Sequence, residues 1–256
     1  MGKIIAIVNQ KGGVGKTTTS INLASALAYL RKKVLLVDFD PQGNSTQGVG
    51  KDKQFNKSIY DVLLEGEDIK ETILNLNRPP MSLLPSNIEL AGADLTMAEF
   101  KIGREQLLKN KLKEVKDDYD YIIIDCPPSL GLLNTNALTA ADAVIIPVQC
   151  EYYALEGLTQ LLSTIQLVKK LFNPSIRIDG IVLTMHDART KLSVEVQQEV
   201  KSYFKESVYH TFIPRNVKLS EAPSVGQCIF EYDINSSGAT AYMRLAKEFV
   251  ERNEGE

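Results

Sequence analysis

Residues 9–18 read Asn-Gln-Lys-Gly-Gly-Val-Gly-Lys-Thr-Thr. The apolar run Lys3-Ile4-Ile5-Ala6-Ile7-Val8 leads into them, and a helical pattern over Lys16–Leu30 follows. A strand, a glycine-rich turn and a helix N-terminus, in that order, make a phosphate cradle. Gly12, Gly13 and Gly15 let the backbone turn tightly and aim its N–H groups inward around Val14. Lys16 offers a positive charge to β- and γ-phosphates, and Thr17, with Thr18 beside it, offers a hydroxyl to Mg²⁺. The plainer alternative, a turn with solvated lysines, leaves the agreement of strand, motif and helix unexplained.

The rest of the chain repeats that alternation. Strands are predicted at Lys3–Val8, Lys33–Val37, Met81–Leu84, Tyr121–Asp125, Ala143–Val148, Ile178–Thr184 and Val208–Ile213. Helices are predicted at Lys16–Leu30, within Ile88–Lys116, and at Gly131–Ala140, Leu155–Leu171, Leu192–Phe204 and Ala239–Arg252. Continuously apolar runs such as Val34-Leu35-Leu36-Val37 suit strands covered on both faces. The expected fold class is therefore α/β: a doubly wound, mostly parallel sheet in three αβα layers. Residues 43–80 are the least regular and are expected to form surface loops and short helices.

In such sheets ligands sit beyond the carboxyl ends of the strands. Four ends carry polar residues worth naming. Val37 leads into Asp38-Phe39-Asp40, and strand alternation places both aspartates on one side. A carboxylate there can orient a water or hold Mg²⁺ through water, or merely cap the next turn. Ile122-Ile123-Ile124-Asp125 reads as a Walker B strand, with Asp125 holding Mg²⁺ through its water shell. Pro147-Val148-Gln149-Cys150-Glu151-Tyr152-Tyr153 closes the third end, where Glu151 reads equally well as a helix N-terminal charge. Phe212-Ile213-Pro214-Arg215-Asn216-Val217-Lys218 closes the fourth, and a plain loop is its simplest reading.

With 256 residues, 44 % hydrophobic, the chain can bury a substantial core and is expected to form one domain over 1–256. The net charge of −3 advertises no polyanion binder, so any DNA contact must come from a local basic patch. No apolar run approaches the ~20 residues of a membrane span. Cys126, Cys150 and Cys228 are far apart, without C-x-x-C spacing, which fits a reducing compartment and argues against a disulfide framework or a metal cluster. His186 and His210 have no partner at a recognisable spacing.

One detail narrows the motif. The common P-loop pattern has Gly where this chain has Gln10, and this chain adds Lys11. That is the deviant Walker A form, and with the four strand ends it resembles the ParA/MinD group of ATPases. Asp125-Cys126-Pro127-Pro128-Ser129-Leu130-Gly131 and the stretch from Val148 to Gly157 are most similar to its ParA/Soj type. The resemblance implies ATP and Mg²⁺ as cofactors, with Lys11, Lys16, Asp40 and Asp125 catalytic. It implies that Lys11 reaches a partner subunit's nucleotide, with Gly12 and Glu151 at the same homodimer interface. Asp40 falls in switch I, Pro214 would pack on adenine and Asn216 would hydrogen-bond it. Arg189 and Lys218 match DNA-contacting positions, although Lys218 replaces a forked arginine by a point charge.

What the resemblance implies for the whole is a switch that partitions chromosomes or plasmids. An ATP sandwich dimer binds double-stranded DNA without sequence preference, and a ParB-type (Spo0J-type) centromere-binding partner stimulates weak intrinsic hydrolysis. The expected location is cytoplasmic, on the nucleoid, with no membrane partner. The main rival is a MinD-like membrane-associated positioning ATPase, which needs a basic amphipathic C-terminal helix; here the tail Glu251–Glu256 is acidic. A nitrogenase-type iron–sulfur protein would need thiolates near the dimer axis in motifs that Cys126 and Cys150 do not match. Dethiobiotin synthetase shares the fold type but not the Lys11 signature.

Overall fold

The computed structural model describes residues 2–51, 55–77, 79–151 and 154–255, without the side chains of 154–156. Seven strands form one sheet among these residues: β1 (Lys3–Ile7), β2 (Val34–Asp38), β3 (Leu74–Asn77), β4 (Pro80–Leu84), β5 (Tyr121–Asp125), β6 (Ala143–Gln149) and β7 (Arg177–Thr184). Their order is β3-β4-β2-β5-β1-β6-β7, and every pairing is parallel except β3 with β4. The helices are α1 (Lys16–Tyr29), α2 (Asn44–Gly48), α3 (Ile69–Thr72), α4 (Ala93–Ala98), α5 (Leu107–Lys113), α6 (Leu132–Ala140), α7 (Ala154–Leu171), α8 (Lys191–Phe204), α9 (Lys218–Glu221), α10 (Ile229–Tyr232) and α11 (Ser237–Glu254).

The central strands are apolar because both faces are covered. β2 and β5 are buried at every position. Alternation then sorts their side chains into two cores. Ile4, Ala6, Leu35, Val37, Ile122 and Ile124 pack with α4 to α8, whereas Ile5, Ile7, Val34, Leu36 and Ile123 pack with α1 and α11. This is the three-layer, doubly wound sheet that the sequence pattern predicts.

Two elements differ from expectation. β3 is an antiparallel edge strand inside the stretch predicted to be loops and short helices. Residues 208–213, predicted as a strand, form no continuous ladder with β7: one isolated bridge joins Val208 to Ile181, and a second, just past both segments, joins Pro214 to His186. The reason is a side chain distant in sequence: the N–H groups of His210 and Thr211 donate to the Glu248 carboxylate at 2.7 and 2.9 Å and so are not free for the ladder. The segment still runs beside β7, because Tyr209 N and Ile213 N donate to Ile181 O and Leu183 O.

Candidate functional site

The parallel register brings the strand ends together. Asp38 of β2 pairs with Asp125 of β5, which pairs in turn with Ile7 of β1. The glycine-rich loop therefore rises directly beside the two carboxylates. Gly13 and Gly15 adopt φ of 75° and 88°, which a side chain would strain, so the glycines are required by the turn. A Cβ at Gly12 or Gly13 would meet nothing within 4 Å, so that rim of the loop faces open space. α1 starts at the loop with no side-chain cap and no acidic residue in its first turn. Its N-terminal donors are left for an anion.

Lys16 is the decisive side chain. It is 7 % exposed, and its Nζ has the Lys11 carbonyl, at 3.3 Å, as its acceptor. Burial pulls its pKa below the usual lysine value, while Asp125, Cys126 and Asp40 oppose that pull. A buried cation so thinly partnered favours an incoming anion. Asp125 is fully buried and accepts from Ser20 Oγ at 2.9 Å and Ser45 Oγ at 2.7 Å, with Thr17 donating as well. Burial raises its pKa, and the three hydroxyls hold it down. Asp38 is raised too, first by burial and then by the Asp125 charge; Thr46 N and Oγ1, both at 2.7 Å, and Asp40 N at 3.2 Å oppose this. Asp40 lies just past the strand end, 7 % exposed, with Gln42 N on its Oδ1. The Thr17 hydroxyl with Asp125, and Asp40 past the neighbouring strand end, could hold a divalent cation through its water shell rather than by direct carboxylate coordination, and the loop with Lys16 fits phosphates.

Beyond the loop, Gly15 and Thr18 share a cavity of about 180 Å³ with Met185, Pro214, Arg215 and Asn216. Asn216 is committed within the chain: its Nδ2 donates to Ser237 Oγ at 2.6 Å and its Oδ1 accepts Lys218 N at 2.8 Å. Lys11 points elsewhere, to Glu151 Oε2 of its own chain at 2.9 Å, both side chains about half exposed. Arg189 and Lys218 do not line this cavity; they pair with Asp187 and Glu221 on the two segments that the His186–Pro214 bridge joins. Tyr152 and Tyr153 of the third strand end lie outside the described residues. Cys126, Cys150 and Cys228 are free and buried, and no cluster of three or more His, Cys, Asp or Glu residues suited to a metal occurs among the described residues.

An AAA domain family model, AAA_31, matches residues 2–178. The chain is 57 % identical over 249 residues to the sporulation initiation inhibitor protein Soj of Bacillus subtilis, covering 97 % of this chain and 98 % of that protein. It is 50 % identical to the chromosome-partitioning ATPase Soj of Treponema pallidum, covering 99 % of each. The chain belongs to the ParA/Soj family of chromosome-partitioning ATPases. A solved structure described as cobyrinic acid a,c-diamide synthase from Mycobacterium smegmatis, with bound ATP analogue and magnesium, superposes with TM-score 0.87 at 37 % identity over 100 % of this chain and 98 % of that one.

Within this ParA/Soj fold, several residues that shape the site escaped the sequence reading. Ser20 and Ser45 hold Asp125, and Thr46 holds Asp38. Thr184 Oγ1 donates to Val14 O at 2.8 Å and fixes the crest of the loop from β7. Asn9 Nδ2 donates to Pro147 O at 2.7 Å while its Oδ1 accepts Lys11 N at 3.0 Å, which ties the loop to β6. Asn9 opens the glycine-loop motif itself, whereas nothing in the local sequence sets Ser20, Ser45, Thr46 or Thr184 apart from other hydroxyl residues.

Proposed function

We propose that this chain is an ATP-driven switch for partitioning chromosomes or plasmids, hydrolysing ATP to ADP with Mg²⁺. The observation that carries the reading is Lys16: a buried, under-partnered cation inside an open glycine loop, facing carboxylates at two neighbouring strand ends. ATP is the substrate. Loop residues 11–18 would cradle its phosphates, Lys16 would neutralise their charge, and Pro214 and Asn216 would bound the adenine in the cavity they share with Gly15 and Thr18. Thr17, and through water Asp40 and Asp125, would hold magnesium, which would supply charge neutralisation to the phosphates. Asp40 would orient the attacking water, and the Ser20 and Ser45 hydroxyls aim Asp125 and favour its charged form against burial.

In the same reading, two ATP-bound copies form a sandwich in which Lys11 leaves Glu151 and reaches the partner's nucleotide across an interface that includes Gly12. Arg189 and Lys218 then contact double-stranded DNA without sequence preference, and doubling the cations supports binding by the dimer. A ParB-type partner stimulates hydrolysis, and the dimer parts. The expected location is the nucleoid. A membrane switch of the MinD kind finds less support. The apolar face of α11 is occupied: Tyr242, Leu245, Ala246 and Phe249 are at most 1 % exposed. Among the described residues no helix is long and apolar enough to cross a membrane.

The test is co-sedimentation with random-sequence DNA and with anionic liposomes, each with and without Mg-ATP. ATP-dependent, salt-sensitive DNA binding that Arg189→Ala removes is the expected result. Liposome binding without DNA binding would overturn the reading.

A further inference from the structure

The end of the molecule formed by residues 185–191 and 214–221 carries basic side chains that are not free. The two segments are backbone neighbours, since Arg215 N donates to His186 O at 3.2 Å and His186 bridges Pro214. The Arg189 side chain is 89 % exposed, yet its Nε and Nη2 donate to the two oxygens of Asp187 at 2.9 and 2.8 Å. Lys218 Nζ lies 3.5 Å from Glu221 Oε2 and 5.4 Å from the centre of the Tyr232 ring. Both cations to which the proposed function gives DNA contact are thus covered by a carboxylate of the same chain.

Folding does not require those charges. Asp187 Oδ1 accepts Arg189 N at 3.1 Å and so closes a turn, but an asparagine oxygen closes that turn equally well. Glu221 Oε2 accepts Tyr232 OH at 3.0 Å, a bond a glutamine oxygen also makes. Pairs this exposed add little stability. What the carboxylates change is the field at this end of the molecule. The two segments contain Arg189, Lys191, Arg215 and Lys218 against Asp187 and Glu221, so the acids cancel half of the positive charge. The Arg189 hydrogen bonds hold the Asp187 carboxyl well below the usual range, so it stays charged.

We infer that Asp187, with Glu221 in a lesser role, is a built-in restraint on DNA affinity. A phosphate approaching the Nε–Nη2 edge of Arg189 must displace Asp187. One approaching the opposite edge must tolerate a carboxylate a few ångströms away. Either way each protomer loses about one unit of effective positive charge toward a polyanion. A lone protomer then binds DNA too weakly to stay, and two joined protomers are needed. The restraint keeps the two states of the switch apart. This inference rests on the proposed DNA-binding reading and adds the residue that sets its threshold.

The experiment measures binding to a random-sequence duplex by fluorescence anisotropy over a salt series, with and without Mg-ATP. The proteins are the wild type, Asp187→Asn, Asp187→Glu, Glu221→Gln and Arg189→Ala, each checked for native melting. Asp187→Asn is expected to bind several-fold more tightly. The slope of log K against log salt should steepen by up to about two units for the dimer, at about 0.9 per added charge. Binding should also become measurable without ATP. Asp187→Glu, which keeps the charge, should stay near wild type, and Glu221→Gln should move the same way by less. Unchanged or weaker binding by Asp187→Asn, with wild type binding and Arg189→Ala failing, would overturn this inference alone. Failure of the wild type to bind DNA with Mg-ATP would overturn the functional reading and this inference with it.

Discussion

At the scale of single residues, the site is organised by charges held out of water. Asp38 and Asp125 face each other across adjacent strands, both buried, and each resists ionisation for that reason. Lys16, Ser20, Ser45 and Thr46 make the arrangement tolerable without cancelling it. Asp40 is less committed, so its removal should leave the cradle standing. Asp40→Ala is expected to bind ATP and dimerise as wild type does, with hydrolysis reduced about a hundredfold or more, read as phosphate release. Normal turnover would remove Asp40 from its role. Thr184→Val keeps shape but leaves the buried Val14 carbonyl without its donor. It should cost about 1–3 kcal/mol in urea unfolding and weaken nucleotide binding measured by calorimetry.

Among the elements, α1 and the segment beside β7 matter most. α1 carries no cap of its own, so its first turn is completed by ligand rather than by sequence. The 208–214 segment is held by a side chain instead of a ladder. Burial alone would raise the pKa of Glu248, but the N–H groups of His210 and Thr211 and the Arg252 guanidinium outweigh burial and lower it. A carboxyl whose folded pKa is depressed stabilises the fold above its unfolded value. That contribution disappears as pH falls through the lower, folded value. Glu248→Gln should therefore be less stable at neutral pH by about 1–2 kcal/mol. Its stability should also fall less steeply than the wild type's below about pH 4.5, by thermal melts across pH. Parallel acid limbs would show that Glu248 is not the clamp.

The scale of the whole molecule is set by what one chain lacks. Lys11 rests on Glu151 in a half-exposed pair, a contact that contributes little and breaks easily. Its proposed target lies on a second copy. Lys11→Ala should bind ATP yet remain monomeric in light scattering with Mg-ATP, where the wild type becomes dimeric. A dimeric Lys11→Ala would place the interface elsewhere. The sheet makes such an interface possible by putting the loop, Asp40 and Glu151 at one end, on β1, β2 and β6.

The sequence by itself determined the layered α/β fold, because period and apolar run length report burial on one face or two. It determined the glycine loop, because positive φ at 13 and 15 demands glycine. It also marked Lys16, by its place between the glycine loop and the helix, and Asp40 and Asp125, because polar residues after an apolar run mark the end of a buried strand. The tertiary structure alone decided the rest. Ser20 and Ser45 meet Asp125 from 105 and 80 residues away, and nothing local distinguishes them from other helix hydroxyls. β3 is four residues long, too short for its alternation to stand out, and gains its place only from β4. Residues 208–213 look like a strand, but their hydrogen bonds were claimed by Glu248 on α11, a distant side chain. Local pattern encodes which residues leave water. Which partner each meets there depends on strand order, and that order is a property of the assembled sheet.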